Sequence, residues 1–198
     1  VTDSQALNVV RVTQGGNGTV TLKTSAGGMT IAATGATPAG SGIVSTGSGT
    51  VTLNPTTTLA INHVITTSGG NVVVSGGTGA VSSTSAGVIT TTAAANSGTA
   101  SGTVNISTTS ADISLAGNIV TTGANHSGAG ATASAGGQVT INTITSGAVT
   151  VGNITASGGN ATGGVGTTGG AAAAINVTST GTTKDITLNG TLTSVAGT

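Results

Sequence analysis

The sequence predicts an all-β chain folded as a right-handed parallel β-helix, a solenoid with three strands in each coil. Between Val104 and Leu192 a phrase of three short apolar strands recurs almost three times, with a period of 35 to 36 residues. Triplets such as Val20-Thr21-Leu22 alternate apolar and small polar residues, which is the period of a strand with one buried face. Units of this kind bury their apolar faces only by stacking on one another, so a fixed period indicates a solenoid.

Composition limits both the core and the partners. The chain has 198 residues, 36 glycines, no cysteine and no aromatic residue, and its formal net charge is zero. A core without aromatic side chains must be narrow, as the lumen of a solenoid is. Nucleic-acid binding and membrane insertion are not expected, because the chain has neither a basic stripe nor a long apolar run. The six charged residues are Asp3, Arg11, Lys23, Asp112, Lys184 and Asp185.

The repeats predict about six coils in residues 18–194, preceded by a partial starting coil in residues 1–17. We interpret residues 1–198 as a single domain and expect it to be a segment of a longer protein. First strands are predicted to begin at Val20, Val51, Val72, Val104, Val139 and Ile175. Second strands are predicted at Met29, Leu59, Val81, Ile113, Val149 and Ile186. Third strands are predicted at Ile43, Val64, Val88, Ile119, Ile154 and Leu192.

The extra length of the longer repeats lies mainly after the third strand, in residues 91–102, 121–137 and 156–174. Insertions at one corner form loops on one face of a solenoid, so we expect an exposed ridge there. The last two insertions are almost entirely Ala, Gly, Ser and Thr, which favours backbone packing or flexibility over a shaped pocket. The candidate interaction residues are Thr121, Asn125, His126, Gly136, Ala156, Asn160, Gly163, Gly169 and Ala174.

Asparagine recurs between the second and third strands, where a sharp corner favours Asn and Gly. These corner residues are Asn62, Asn118, Asn153 and Asn189. The sequence allows two interpretations of these asparagines. The amides could stack into a hydrogen-bonded ladder, as they do in stacked sheets, or they could serve only as favourable turn residues.

Candidate groups for catalysis are few and scattered. His63 and His126 are predicted to be exposed loop residues, and Asp112 and Asp185 to be strand-entry residues. The chain has no glutamate, no calcium-binding nonapeptide and no Ser-His-acid motif. We therefore expect no enzymatic activity, no metal and no cofactor.

The phrases GTVTL, ADISLAGNIV and GAVTVGNITASGG, joined by Ala/Gly/Ser/Thr-rich insertions, resemble the β-helix regions of filamentous-haemagglutinin-like, large repetitive bacterial surface adhesins. The resemblance covers about Gly18 to Ser194 and includes no functional residues to transfer. It implies a secreted structural protein at the bacterial cell surface, a stalk or filament that presents Gly-rich loops and takes part in adhesion or biofilm. Its partners would be a host or matrix surface, or other copies through end-to-end or loop-mediated contacts.

The two alternative functions are ice binding and the cleavage of polysaccharides. Ice binding requires flat threonine arrays, and the outward columns of the first and second strands are interrupted, for example by Val73 and Ala60. A polysaccharide-active β-helix enzyme would need clustered carboxylates, which three aspartates do not provide. Because no helical cap covers either end, we also expect the end coils to continue into further repeats or to stack on other copies.

Overall fold

The protein is a right-handed parallel β-helix of seven coils in a computed structural model that describes residues 1–31, 42–181 and 184–198. Each coil contributes one strand to each of three seven-stranded sheets, and neighbouring strands in all three are parallel. A fourth, two-stranded sheet lies in the insertions. The described residues form no helix. The predicted fold class is therefore confirmed, with one coil more than the six expected.

Coils 1 to 3 contain β1 (Thr2–Asp3), β2 (Leu7–Val9), β3 (Arg11–Gln14), β4 (Val20–Thr24), β5 (Met29–Ile31), β6 (Gly42–Ser45), β7 (Val51–Asn54), β8 (Leu59–Ile61) and β9 (Ile65–Thr67). Coils 4 and 5 contain β10 (Val72–Ser75), β11 (Val81–Ser83), β12 (Ile89–Thr90), β13 (Val104–Thr108), β14 (Ile113–Leu115) and β15 (Ile119–Val120), followed by β16 (His126–Ser127) in an insertion. Coils 6 and 7 contain β17 (Val139–Thr143), β18 (Val149–Val151), β19 (Ile154–Thr155), the inserted β20 (Ala161–Thr162), β21 (Ile175–Thr178), β22 (Ile186–Leu188) and β23 (Leu192–Thr193).

The core consists of columns of aliphatic side chains that run along the solenoid axis. In the third sheet, Ile65 pairs with Ile89, and Ile89 with Ile119, so the same side chain repeats from coil to coil. The first and second sheets carry corresponding columns of Val, Ile and Leu, and most of their members are fully buried. β-Branched side chains fit this parallel, pleated surface well.

Two details of the predicted strands are wrong. The starting coil is complete, because β1, β2 and β3 each pair with the following coil. Its first strand was not predicted from the sequence, because Thr2 and Asp3 are polar and do not show the alternation of apolar and polar residues. In addition, β9 and β12 begin at Ile65 and Ile89, one residue after the predicted positions. Val64 and Val88 are half-buried corner residues, whereas the isoleucines that follow them point into the core.

A column of glycines lies two residues before the first strands of coils 2 to 6, and Ala173 stands at this position in coil 7. In coils 2 to 6 this position is held by Gly18, Gly49, Gly70, Gly102 and Gly137. A Cβ atom on Gly49, Gly70, Gly102 or Gly137 would overlap the carbonyl oxygen of the preceding glycine in the column, whereas one on Gly18 would meet the Gln14 side chain. Glycine is needed because one backbone passes directly over another at this corner.

The same corner is closed by a buried hydroxyl. Thr67 is the last residue of β9, and Thr91 and Thr121 directly follow β12 and β15. All three are almost fully buried and donate hydrogen bonds to the carbonyls of Gly70, Gly102 and Gly137, respectively. Donor and acceptor residues are separated by 3, 11 and 16 positions, so one hydrogen bond closes corners of very different length. This threonine–glycine closure fixes where the insertions at residues 91–102 and 121–137 leave and rejoin the solenoid, whereas Ala156 stands at the threonine position of the third insertion.

Truncating a core isoleucine tests the columns. We expect Ile106→Ala to lower the free energy of unfolding by about 2–5 kcal/mol, because Ile106 is fully buried and the cavity cannot collapse against a stacked neighbour. Ile144→Ala is the matched control, since Ile144 is 58% exposed at a corner, and we expect a change within about 0.5 kcal/mol. Urea unfolding followed by circular dichroism measures both, and equal effects would contradict the stacked core.

Adding one methyl group to the glycine column tests the close backbone approach. Gly102→Ala should destabilise the fold by at least about 2 kcal/mol, because the new Cβ atom meets a backbone carbonyl that cannot move aside. Gly15→Ala is the control, as a Cβ there has open space, and we expect a change below about 1 kcal/mol. Comparable urea midpoints for the two variants would show that the column tolerates a side chain.

Candidate functional site: the insertion ridge

The insertions at residues 91–102, 121–137 and 156–174 stack on one another and form a ridge along one corner of the solenoid. β16 and β20 pair in parallel, with His126 opposite Ala161, and Thr132 forms a bridge with Thr168. The backbone N–H of Asn96 donates to the Asn125 carbonyl, which joins the first insertion to the second. The expected exposed ridge on one face is therefore present, and it is an ordered stack.

Each of the two longer insertions has an outgoing and a returning arm, and the arms bond to each other. The backbone N–H of Ser134 donates to the Ala124 carbonyl at 3.1 Å, and that of Gly170 to the Gly159 carbonyl at 2.9 Å. A Cβ atom on Gly123 would overlap the Ser134 carbonyl oxygen. The Gly- and Ala-rich composition is explained by this backbone-to-backbone packing, which leaves no space for larger side chains.

An asparagine ladder runs along the ridge. The Oδ1 atom of Asn96 accepts from the Ser127 N–H at 2.8 Å, that of Asn125 from the Asn160 N–H at 2.8 Å, and that of Asn160 from the Thr198 N–H at 3.1 Å. Each amide thus caps a backbone N–H of the next coil, which a smaller side chain would leave to water. The recurring phrases Asn-His-Ser-Gly and Asn-Ala-Thr-Gly are the sequence signal for this ladder.

The candidate interaction residues divide into buried and accessible groups. Thr121 and Ala156 are fully buried at the corner, where they close the coil and complete the core, so their assignment to an interaction surface is wrong. Asn125, Asn160, Gly163 and Ala174 are exposed. The half-buried members are His126, Gly136 and Gly169.

The four predicted corner asparagines do not form one ladder. Asn118 and Asn153 occupy the same register position, and the Asn153 Nδ2 donates to the Asn118 Oδ1 at 3.2 Å. Asn62 and Asn189 instead follow the second strand directly, two or more residues from that position. A groove of about 210 Å³ lies over this corner, and its lining includes Ser114, Thr150, Asn153 and Asn189.

His63, His126 and Asp112 lie in different parts of the solenoid. His63 is half-buried at a corner, and His126 is half-buried within β16 with its Nδ1 atom buried and unpaired, so neither is the exposed loop residue that was expected. The Asp112 Oδ1 accepts the Ala148 N–H at 2.8 Å, which is a structural role at the entry to a strand. No cluster of three or more potential metal ligands occurs within residues 1–31, 42–181 and 184–198.

The outward face of the third sheet carries a regular hydroxyl array that the sequence patterns of the first two strands did not reveal. Thr66, Thr90 and Thr155 lie in one column, which Val120 interrupts. Two residues further along the chain, beyond the ends of these strands, follow Ser68, Thr92, Thr122 and Ser157. The hydroxyls of Thr66, Thr90, Thr122 and Thr155 have no protein hydrogen-bond partner in the described structure, so they are available to water or a ligand.

No protein-family model, no curated protein and no solved structure matches this chain. The described part of the chain also contains no helix of the length and apolarity needed to cross a membrane. The class of protein is defined by the fold: a parallel β-solenoid with three strands per coil and a lateral ridge of stacked insertions.

Proposed function

We propose that the protein is a structural and adhesive component of the bacterial cell surface, in which the solenoid is a rigid scaffold and the ridge is the contact surface. The observation that carries this proposal is the threonine–glycine closure. The scaffold is closed in the same way whether the corner is short or carries a long insertion. An insertion that the scaffold does not need for closure is available for another role.

The chemistry of the ridge favours contact with an extended surface. Its tip residue Val165 is 96% exposed, and its exposed amides at Asn125 and Asn160 follow the solenoid axis. These insertions contain no Asp, Glu, Lys or Arg, and their one histidine is His126. A broad, uncharged and regular surface suits many weak contacts with a matrix or a neighbouring ridge better than it suits one small ligand.

Display of the chain on a non-adherent bacterial strain, through a membrane-anchor fusion, tests the role of the ridge. We expect attachment to glass and cell–cell clumping to rise above the level of the anchor alone. Replacing residues 92–101 and 122–136 each with the two-residue corner Ser-Gly should remove most of this gain, because the closures of Thr91 and Thr121 remain and the stack of insertions is lost.

Circular dichroism of the purified trimmed chain verifies that its β-structure remains. Val165→Lys is a second ridge variant that does not disturb packing, and we expect it to reduce attachment at least twofold. Asn105→Ala, on the exposed face of β13, is the matched control and should keep full attachment. Equal attachment of the native chain and the anchor alone, at equal display, would contradict the adhesive function.

A second candidate function is ice binding, which the third-sheet hydroxyl array favours. Adjacent coils place the side chains of the first column about 4.8 Å apart. Thr66, Thr90, Val120 and Thr155 therefore form a one-dimensional lattice of hydroxyl and methyl groups over four consecutive coils. Such a lattice can order water in a repeating pattern.

Thermal hysteresis of the purified chain tests this candidate. On this proposal the native chain delays ice growth, and Thr90→Lys, in the centre of the array, reduces the effect at least fivefold because the long charged side chain disrupts the lattice. Thr52→Lys, at a comparable half-buried position on the first sheet, is the control and should retain activity. Absence of hysteresis at millimolar protein would eliminate ice binding.

A further inference from the structure

The groove beside Asn153 results from a difference in corner length between neighbouring coils. Coil 6 passes from its second to its third strand through two residues, Gly152 and Asn153. At the same corner, coil 5 uses the three residues 116–118 and coil 7 the three residues 189–191. The longer corners flank the shorter one, and the recess between them has a volume of about 210 Å³.

This groove opens on the side of the solenoid. Ser114 and Thr150, which line it, are paired outward residues of the second sheet. All but one of the lining residues belong to coils 5 and 6, and each of these coils is stacked between two others. The recess is therefore part of the lateral surface and is separate from the two end faces.

Asn153 is held in a fixed orientation in the lining. Its Nδ2 atom donates to the Asn118 Oδ1 at 3.2 Å, and its Oδ1 atom accepts the Thr191 N–H at 2.9 Å. A carboxamide has two N–H donors, so one donor of Asn153 stays available. Because this amide is already bonded to the coils on both sides, a ligand does not have to immobilise it.

The other polar side chains of the lining have unused hydrogen-bonding capacity. The hydroxyls of Ser114 and Thr150 and the carboxamide of Asn189 bond to no other residue in the part of the chain that the structure describes. A hydroxyl both donates and accepts, and a carboxamide offers donors beside an acceptor. These groups suit a ligand that carries several neighbouring hydroxyls.

Charge and size restrict the ligand further. None of the lining residues is charged, and Leu115 and Ala116 add apolar atoms. Pockets for drug-sized ligands measure about 300–1,000 Å³, so this groove takes a smaller group. A sugar ring meets these conditions, because its hydroxyls lie along the edge of the ring and its C–H groups lie on the two faces.

We propose that this groove is a binding site for one neutral hexose unit. Asn153, Ser114 and Thr150 bond to its hydroxyls, and Leu115 and Ala116 contact its C–H groups. A small unit held by a few hydrogen bonds binds weakly, so the expected dissociation constant is millimolar. The site lies at a different corner from the ridge, so it goes beyond the proposed function and does not rest on it.

Saturation-transfer NMR of the purified chain with D-glucose, D-galactose and D-mannose, each in millimolar excess, tests the site. We expect at least one of these sugars to bind. Inserting an alanine between Val151 and Gly152 gives coil 6 the Ala-Gly-Asn corner of coil 5 and fills the recess, so binding should be lost. Circular dichroism verifies that this variant keeps its β-structure.

A second groove variant, Thr150→Val, removes one hydroxyl and keeps the β-branched shape, and we expect it to weaken binding at least threefold. Thr140→Val is the matched control, because Thr140 is a half-buried outward threonine of the same coil on the first sheet. This control should bind like the native chain.

Soluble dextran, galactan and mannan distinguish the two sources of the hexose. Competition by the polymer of the sugar that binds would assign the unit to a polysaccharide, and lack of competition would assign it to the free sugar. A native chain that binds none of the three sugars, or equal binding by the native chain and either groove variant, would overturn the site. The ridge is tested by attachment and on other variants, so the two proposals can fail separately.

Discussion

Parallel, in-register stacking of coils is the constraint on which the rest of this structure depends. Each strand lies on its equivalent in the next coil, so residues at equivalent positions form a column. Each side chain in a column must therefore pack against the equivalent side chains of the coil above and the coil below. Aliphatic columns such as Ile65, Ile89 and Ile119 meet this condition by repeating one shape. The chain has no aromatic residue, so these columns are built mainly from Val, Ile and Leu.

The corner after the third strand combines two devices. The glycine column lets one backbone cross another, and the buried threonine bonds the carbonyl of that glycine. Since the hydrogen bond joins the two ends of the corner, the residues between them can increase in number without altering the coil. Loop length adds only slowly to the entropy cost of closing a corner. The coils closed in this way therefore do not depend on the length of their insertions, and the ridge can vary in sequence and length without changing them.

Much of this fold could be predicted from the sequence, because the repeated alternation of apolar and polar residues directly indicates which residues form the core columns. All six predicted first strands and all six predicted second strands begin where the structure places them. The structural roles of the polar residues were harder to predict. Thr67 and Thr91 look like outward hydroxyls, yet they point inward, since a corner carbonyl needs a donor. β1 consists of the polar residues Thr2 and Asp3, so no apolar alternation predicts it. It forms because its backbone pairs with that of β4.

The ridge shows why composition alone misjudges such insertions. A Gly-, Ala- and Ser-rich loop in isolation buries too little to offset its entropy of ordering. Here each loop lies on a similar loop one coil away, and backbone hydrogen bonds between them replace those that a single loop would make to water. The amides of Asn96, Asn125 and Asn160 add a bond at every step. Order in the ridge is thus a property of the stack, and a change in one insertion acts on its neighbours as well.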